Sequence, residues 1–228
     1  MVPYYDRDGI VIYNARCEDV LPSIEPATVD LLLTDPPYGM DYVGNHADRA
    51  TNGKVGGKQA SSRSWPRVEG DSEPFDPTLL LPFGRIVLWG ANFYASKLPD
   101  MGTWLVFNKR GEGGQSSPMQ GDAELAWTNL PGQRVHIYSK VWHGAPRWRA
   151  EPVMHPTQKP TDLMRWIIDR WTQPGDLVLD PYMGSGPIAQ ACHELGRRYI
   201  GIELVEDYCK VAVSRLAQQT LDLTGDNA

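Results

Sequence analysis

The run Leu31-Leu32-Leu33-Thr34-Asp35-Pro36-Pro37-Tyr38 carries an apolar stretch straight into a carboxylate, two prolines and a phenol ring. Successive prolines fix φ and remove two backbone donors, so the turn is stiff and presents its carbonyls outward, with Asp35 and Tyr38 held beside them. That set suits an amino group on a planar ring. Acceptors hold the N–H groups and draw the nitrogen lone pair out of conjugation, while the phenol offers a surface for stacking. The same residues also fit a plain Asp-Pro turn after a strand.

A second group, Asp180-Pro181-Tyr182-Met183-Gly184-Ser185-Gly186, follows the strand-like Leu177 to Leu179 and opens a helix through Ile188, Ala189 and Ala191. Glycines there let backbone N–H groups approach a ligand at the positive end of a helix. Downstream, the strand-like Tyr199 to Ile202 ends in Glu203, an acceptor placed where Rossmann-like folds hold ribose hydroxyls. Strand, glycine turn, helix, strand and acid together predict nucleoside binding, although each alone fits an ordinary tight turn. Glycine turns serve many nucleotides, so a nicotinamide-dependent oxidoreductase is the fold-level alternative; it leaves the proline turn without a purpose. A third group, His155-Pro156-Thr157-Gln158-Lys159-Pro160, precedes an amphipathic helix near Asp162 and by itself reads as a proline-bracketed helix start capped by Thr157 or Thr161.

These residues need a frame, and the apolar pattern supplies one. Short β-rich runs at Ile10 to Tyr13, Val29 to Leu33, Ile86 to Trp89, Trp104 to Phe107, Leu177 to Leu179 and Tyr199 to Ile202 predict buried strands of a parallel or mixed sheet. Helical spacing groups Leu163, Met164, Ile167, Ile168 and Trp171 on one face, and Tyr208, Cys209, Ala212, Val213 and Leu216 on another. The alternation predicts a doubly wound α/β fold with its ligands beyond the carboxyl ends of the strands. In such a sheet the strands ending at Asp35 and Asp180 should be central neighbours at the switch point.

At 228 residues the chain suits one domain, 1–228, carrying insertions. The polar, glycine-rich stretch 39–75 predicts a mobile loop. Residues 109–150, with strand-like Ala123 to Trp127 and Val135 to Tyr138, predict an inserted hairpin-like lobe. The net charge of −6 excludes a surface that is basic throughout, so nucleic-acid contact must come from local patches. Two stretches supply them: Arg49, Lys54, Lys58, Arg63 and Arg67 in the first, and Arg134, His136, Lys140, His143, Arg147 and Arg149 with Trp142 and Trp148 in the second. Solvated loops account for either stretch taken alone. Cys17, Cys192 and Cys209 are scattered and show no zinc spacing, which predicts reduced thiols and no metal. No apolar run approaches the roughly 18 residues of a membrane span, which predicts a cytoplasmic protein without a membrane partner.

Together the motifs and their order resemble the β class of DNA amino-methyltransferases, and within it the adenine methylases of phages and prophages. In that class the Asp-Pro-Pro-Tyr turn comes first, a recognition region follows, and the His-Pro-Thr-Gln-Lys-Pro and glycine-turn elements come last, a permuted Rossmann-like order. Leu88 to Asn92, Trp104 to Arg110 and Asp122 to Trp127 extend the likeness over nearly the whole chain. The resemblance implies S-adenosylmethionine as cofactor and DNA as partner, with a homodimer as family precedent. It assigns Asp35, Pro36, Pro37 and Tyr38 to the target base, and Asp180, Tyr182, Gly184, Ser185, Gly186 and Glu203 to the cofactor. His155, Thr157 and Lys159 would meet the cofactor's methionine end, and Lys109 and Arg110 would join the basic residues on DNA. One position departs from the pattern: Arg16 stands where the family often carries an acid against the cofactor adenine, with Glu18 and Asp19 nearby. A carboxylate at Asp35, where cytosine-amino methylases often carry Ser, favours the N6 of adenine over the N4 of cytosine. An RNA substrate and a non-catalytic DNA-binding module are the remaining alternatives.

Overall fold

The computed structural model describes residues 1–40, 70–100, 102–111, 121–142, 154 and 158–223. Its elements in chain order are β1 (Tyr5–Arg7), β2 (Ile10–Asn14), α1 (Cys17–Val20), β3 (Leu31–Thr34), β4 (Ile86–Trp89), β5 (Thr103–Asn108), β6 (Ala123–Thr128), β7 (Val135–Ser139), α2 (Thr161–Trp171), β8 (Leu177–Asp180), α3 (Pro187–Glu194), β9 (Arg198–Glu203) and α4 (Glu206–Leu223). All nine strands form one sheet in the order β1-β2-β9-β8-β3-β4-β6-β5-β7. The five central strands β2, β9, β8, β3 and β4 are parallel.

The central strands are apolar at consecutive positions because both faces of the sheet are covered. Leu31, Leu33, Val87, Trp89 and Val178 point to one face, where Leu163, Met164, Ile167 and Ile168 of α2 and Ala189, Cys192, Cys209 and Ala212 of α3 and α4 close over them. Leu32, Ile86, Leu88, Leu177 and Leu179 point to the other, under α1, Phe75, Leu80 and Phe83. Among the described residues that second face is covered by the single turn of α1, short 3-10 turns and connecting chain rather than by long helices.

The predicted neighbours are neighbours. Leu31 lies opposite Val178 and Leu32 opposite Leu179, so β3 and β8 run side by side in parallel. From β8 the chain moves outward to β9, and from β3 it moves the other way to β4, which makes the β3/β8 junction the switch point of the sheet. Thr34 Oγ1 donates to Asp180 Oδ1 at 2.6 Å across the junction, tying the two strand ends together.

The inserted hairpin-like lobe is corrected by the sheet order. β6 lies between β4 and β5 and is antiparallel to both, while β7 pairs in parallel with the far side of β5, so β6 and β7 do not pair with each other. Local periodicity marks these strands but is blind to partner choice, which here is settled by the buried faces of β4 and β5. Residues 112–120 and 143–150 of the expected insertion lie outside the described residues. So does 41–69 of the expected mobile loop. Its described ends are anchored, since the buried Asp71 accepts the N–H groups of Gly39 at 2.7 Å and Met40 at 3.2 Å through Oδ1. No described helix is long and apolar enough to cross a membrane.

Packing predicts two contrasting responses. Ile167 is fully buried between α2 and the sheet, so Ile167→Ala should lower the unfolding free energy by about 2–5 kcal/mol in denaturant titration. Ile137, exposed on the edge strand β7, should change it by about 0.5 kcal/mol or less when replaced by Thr.

Candidate functional site

The end of β3 carries the first half of the site. Asp35 is partly buried, and both its oxygens have partners: the Tyr38 hydroxyl donates to Oδ1, and the Lys159 ammonium donates to Oδ2 at 2.6 Å. The same ammonium reaches the Tyr38 hydroxyl oxygen at 3.3 Å and Glu124 Oε2 at 2.9 Å. Lys109 then pairs with Glu124 Oε1 at 3.0 Å, which completes a chain of alternating charge, Asp35, Lys159, Glu124, Lys109. Burial pushes the Asp35 carboxyl upward, and the neighbouring ammonium pulls it back only in part. Burial also opposes charge on Glu124, yet the ammonium groups of Lys159 and Lys109 hold its carboxyl down at about 2. Lys159 loses solvation by burial and is nevertheless held above its ordinary value by the two carboxylates.

Tyr38 is fixed from three sides. Its hydroxyl bonds Asp35, its ring stacks on Phe93 with centroids 5.0 Å apart, and its edge lies against Gly90. Gly90 takes φ +69°, and a Cβ there would stand 1.9 Å from Tyr38 Cε1. Only glycine admits both the backbone conformation and the ring.

The second half forms at the ends of β8 and β9. Gly184 and Gly186 adopt φ of 56° and 77°, which turns the chain sharply into α3. Glu203, at the end of β9, accepts the N–H of Gly184 at 2.8 Å through Oε2 and that of Val205 at 2.7 Å through Oε1. One carboxylate thus clamps the glycine turn to the strand end. Burial raises its pKa against the pull of those amides. Asp180 differs from its expected role. It is buried, and it accepts from Thr34, from the Tyr199 hydroxyl at 3.1 Å and from the Tyr182 N–H at 3.3 Å, so its oxygens brace the turn from below. Burial pushes its carboxyl up to about 7. Ser185 is likewise turned inward, donating to Gln158 at 3.1 Å.

The two halves open onto a single cleft of about 840 Å³. Asp35, Pro36 and Tyr38 line one end, and Tyr182, Gly184 and Glu203 line the other. Arg16 and Glu18 reach the rim beside Glu203 and pair at 3.7 Å. The cleft fits a nucleoside with a charged tail: a carboxylate for hydroxyls, aromatic and aliphatic walls, and glycines that leave room for close approach. Asp180, Ser185, Gly186 and Lys159 do not line it. Lys159 sits with Asp35 and Glu124. His155 and Thr157 lie outside the described residues, as do Arg49, Lys54, Lys58, Arg63, Arg147 and Arg149.

Three of the basic residues expected on DNA have acidic partners. Lys109 is drawn into the charge chain, Arg110 pairs with Asp122 at 3.5 Å, and Lys140 pairs with Asp162. The sequence had given Gly90, Phe93 and Glu124 no role. Gly90 and Glu124 fall in segments that carry the family likeness, but nothing in periodicity or composition marks their contacts with Tyr38 and Lys159.

Residues 102–214 match a family model described as DNA methylase. Type II methyltransferase M2.DpnII of Streptococcus pneumoniae is 25% identical over an alignment covering 94% of this chain and 92% of its own. The crystal structure of an M1.HpyAVI-SAM complex superposes with a TM-score of 0.54 at 25% identity, covering 90% of this chain and 99% of that one. PvuII DNA methyltransferase (cytosine-N4-specific) shares the fold, with a TM-score of 0.59 at 15% identity over 93% of this chain and 88% of that one. The family match over residues 102–214, the alignments over nearly the whole chain and the shared sheet make this chain similar to S-adenosylmethionine-dependent DNA methylases.

Proposed function

We propose that this enzyme methylates the N6 amino group of adenine in DNA. One observation carries the reading: the Asp35 turn and the Gly184 turn end neighbouring parallel strands and open onto one cleft. The carboxylate at Asp35 supports adenine over cytosine; the shared fold of a cytosine-N4 enzyme does not bear on that choice. The target base leaves the duplex at a cost of roughly a few kcal/mol and stacks at Tyr38, with Phe93 as a second ring of the platform. Asp35 and the Pro36 carbonyl accept its amino hydrogens, which localises the nitrogen lone pair and aims it along the cleft.

When bound, S-adenosylmethionine supplies an electrophilic methyl group on a sulfonium. Glu203 accepts its ribose hydroxyls while holding Gly184 in place, and the walls around Tyr182 bury its apolar surface. Glu18, on the rim beside Arg16, takes the part of the acid that the family usually carries earlier. Asp180 keeps both turns in register. Positioning and fixed acceptors supply the rate gain, without a covalent enzyme intermediate.

The reading is tested by transfer of a tritiated methyl group to duplex DNA, single-stranded DNA and RNA, followed by nucleoside analysis. N6-methyladenine in DNA is expected; N4-methylcytosine, or label in RNA alone, overturns it. Asp35→Ala should abolish transfer while calorimetric affinity for S-adenosylmethionine stays within about twofold, a difference of ~0.4 kcal/mol. Glu203→Gln sets an amide NH₂ against one of two backbone donors, so that affinity should fall about 10- to 100-fold in the same titration. Gly90→Ala should displace Tyr38 and cut the single-turnover rate about 100-fold or more with cofactor affinity retained.

A further inference from the structure

Asp35 has an obligation that its proposed role does not explain. A carboxylate whose charge is fully met by one ammonium is a weak acceptor for a neutral amino group, yet Lys159 stands 2.6 Å from Asp35 Oδ2. The Lys159 side chain is 5% exposed, so water does little to dilute that pairing. Glu124 changes the balance. Its Oε2 is buried and lies 2.9 Å from the same ammonium, an ion pair without hydrogen-bond geometry, so the charge of Lys159 is shared by two carboxylates while its hydrogen bond goes to Asp35. Lys109, on Glu124 Oε1 at 3.0 Å, keeps the second carboxylate ionised.

We propose that Glu124 is a positioning residue for methyl transfer: it holds the Lys159 ammonium back from Asp35, so that Asp35 keeps the acceptor strength needed to grip the base amino group. The proposal rests on Asp35 being that acceptor. Glu124 sits on β6 opposite Phe107 of β5, so its place is set by the sheet and not by a loop. Lys159 is further confined by the Trp89 ring, 5.5 Å from its ammonium to the centroid. Without Glu124 the ammonium has Asp35 as its single described carboxylate partner.

The charge chain gives two variants with opposite signatures. The groups that face Asp35 are Lys159, Glu124, Tyr38, Tyr94 and Asp180, and those that face Glu124 are Lys159, Lys109, Asp35 and Tyr38. Asp35 must be ionised to accept, so the transfer rate rises with pH through its pKa. Glu124→Gln removes a negative neighbour and gives Asp35 the whole of Lys159; both effects favour the ionised form, so the acid limb moves to lower pH by about one unit. The plateau rate should fall about tenfold, equivalent to ~1.4 kcal/mol in the barrier. Lys109→Gln commits Glu124 more fully to Lys159 and should move the same limb to higher pH.

The experiment measures single-turnover pH profiles of wild type, Glu124→Gln, Lys109→Gln and Asp35→Ala. Carboxyl ¹³C NMR then titrates Asp35 in the cofactor-free protein. Opposite shifts of the limb and of the NMR midpoint support the proposal. Unchanged or parallel shifts overturn it, even where the rate falls, and if Glu124→Gln does not fold, absence of the upward shift in Lys109→Gln overturns it alone. Should Asp35→Ala transfer methyl groups at the normal rate, the acceptor assignment itself fails; an inactive Asp35→Ala beside a wild-type-like Glu124→Gln refutes only the role of Glu124.

Discussion

The hydrogen bond from Thr34 to Asp180 joins two strand ends that must not drift apart. β3 delivers the acceptor turn and β8 delivers the glycine turn, and the chemistry requires their ligands to meet within bonding distance. A parallel ladder fixes the strands only as far as Leu32 and Leu179. Beyond it the buried Asp180 carries the registration onward through Thr34, Tyr199 and the Tyr182 amide. A carboxylate buried at this point is costly, and burial raises its pKa. A hydrocarbon side chain would avoid the cost but leave the Tyr199 hydroxyl and the Tyr182 amide without their acceptor. Asp180 therefore serves the site from behind the cleft.

Much of the framework was legible in the sequence because buried parallel strands announce themselves as short continuous apolar runs. Val29 to Leu33, Ile86 to Trp89 and Leu177 to Leu179 are such runs, and the spacing of Leu163, Met164, Ile167, Ile168 and Trp171 marks the face of α2. The prediction that the Asp35 and Asp180 strands adjoin came from the general topology of such sheets. The pairing of β6 and β7 was not legible, since alternation shows a strand but does not name its neighbour. In the site, Asp35, Tyr38, Gly184 and Glu203, singled out by residue type and spacing, line one cleft. Type and spacing could not show that Lys159 turns toward Asp35 or that Asp180 and Ser185 face inward. Those are matters of side-chain direction at strand ends, set by packing from distant segments.

Each half of the site is held by a device of its own kind. At the glycine turn a carboxylate accepts two amides, and the backbone is shaped by hydrogen bonds to Glu203. At the proline turn the backbone is stiff by covalent geometry, and the side chains are arranged by charge, from Asp35 through Lys159 and Glu124 to Lys109. The first leaves a surface that suits hydroxyl groups and a tail. The second leaves a single acceptor whose strength depends on how positive charge is shared around it.

The strand order also bears on how the chain assembles. β2 and β3 are made early, yet the neighbours that pair with them inside the sheet, β9 and β8, come from residues 177–203. Until those residues have left the ribosome, β3 presents one unpaired edge, and β2 lacks its inner partner. The centre of the sheet is thus filled by the last third of the polypeptide, inserted between strands already waiting. Such long-range parallel closure is slow and leaves strand edges unpaired until it is complete.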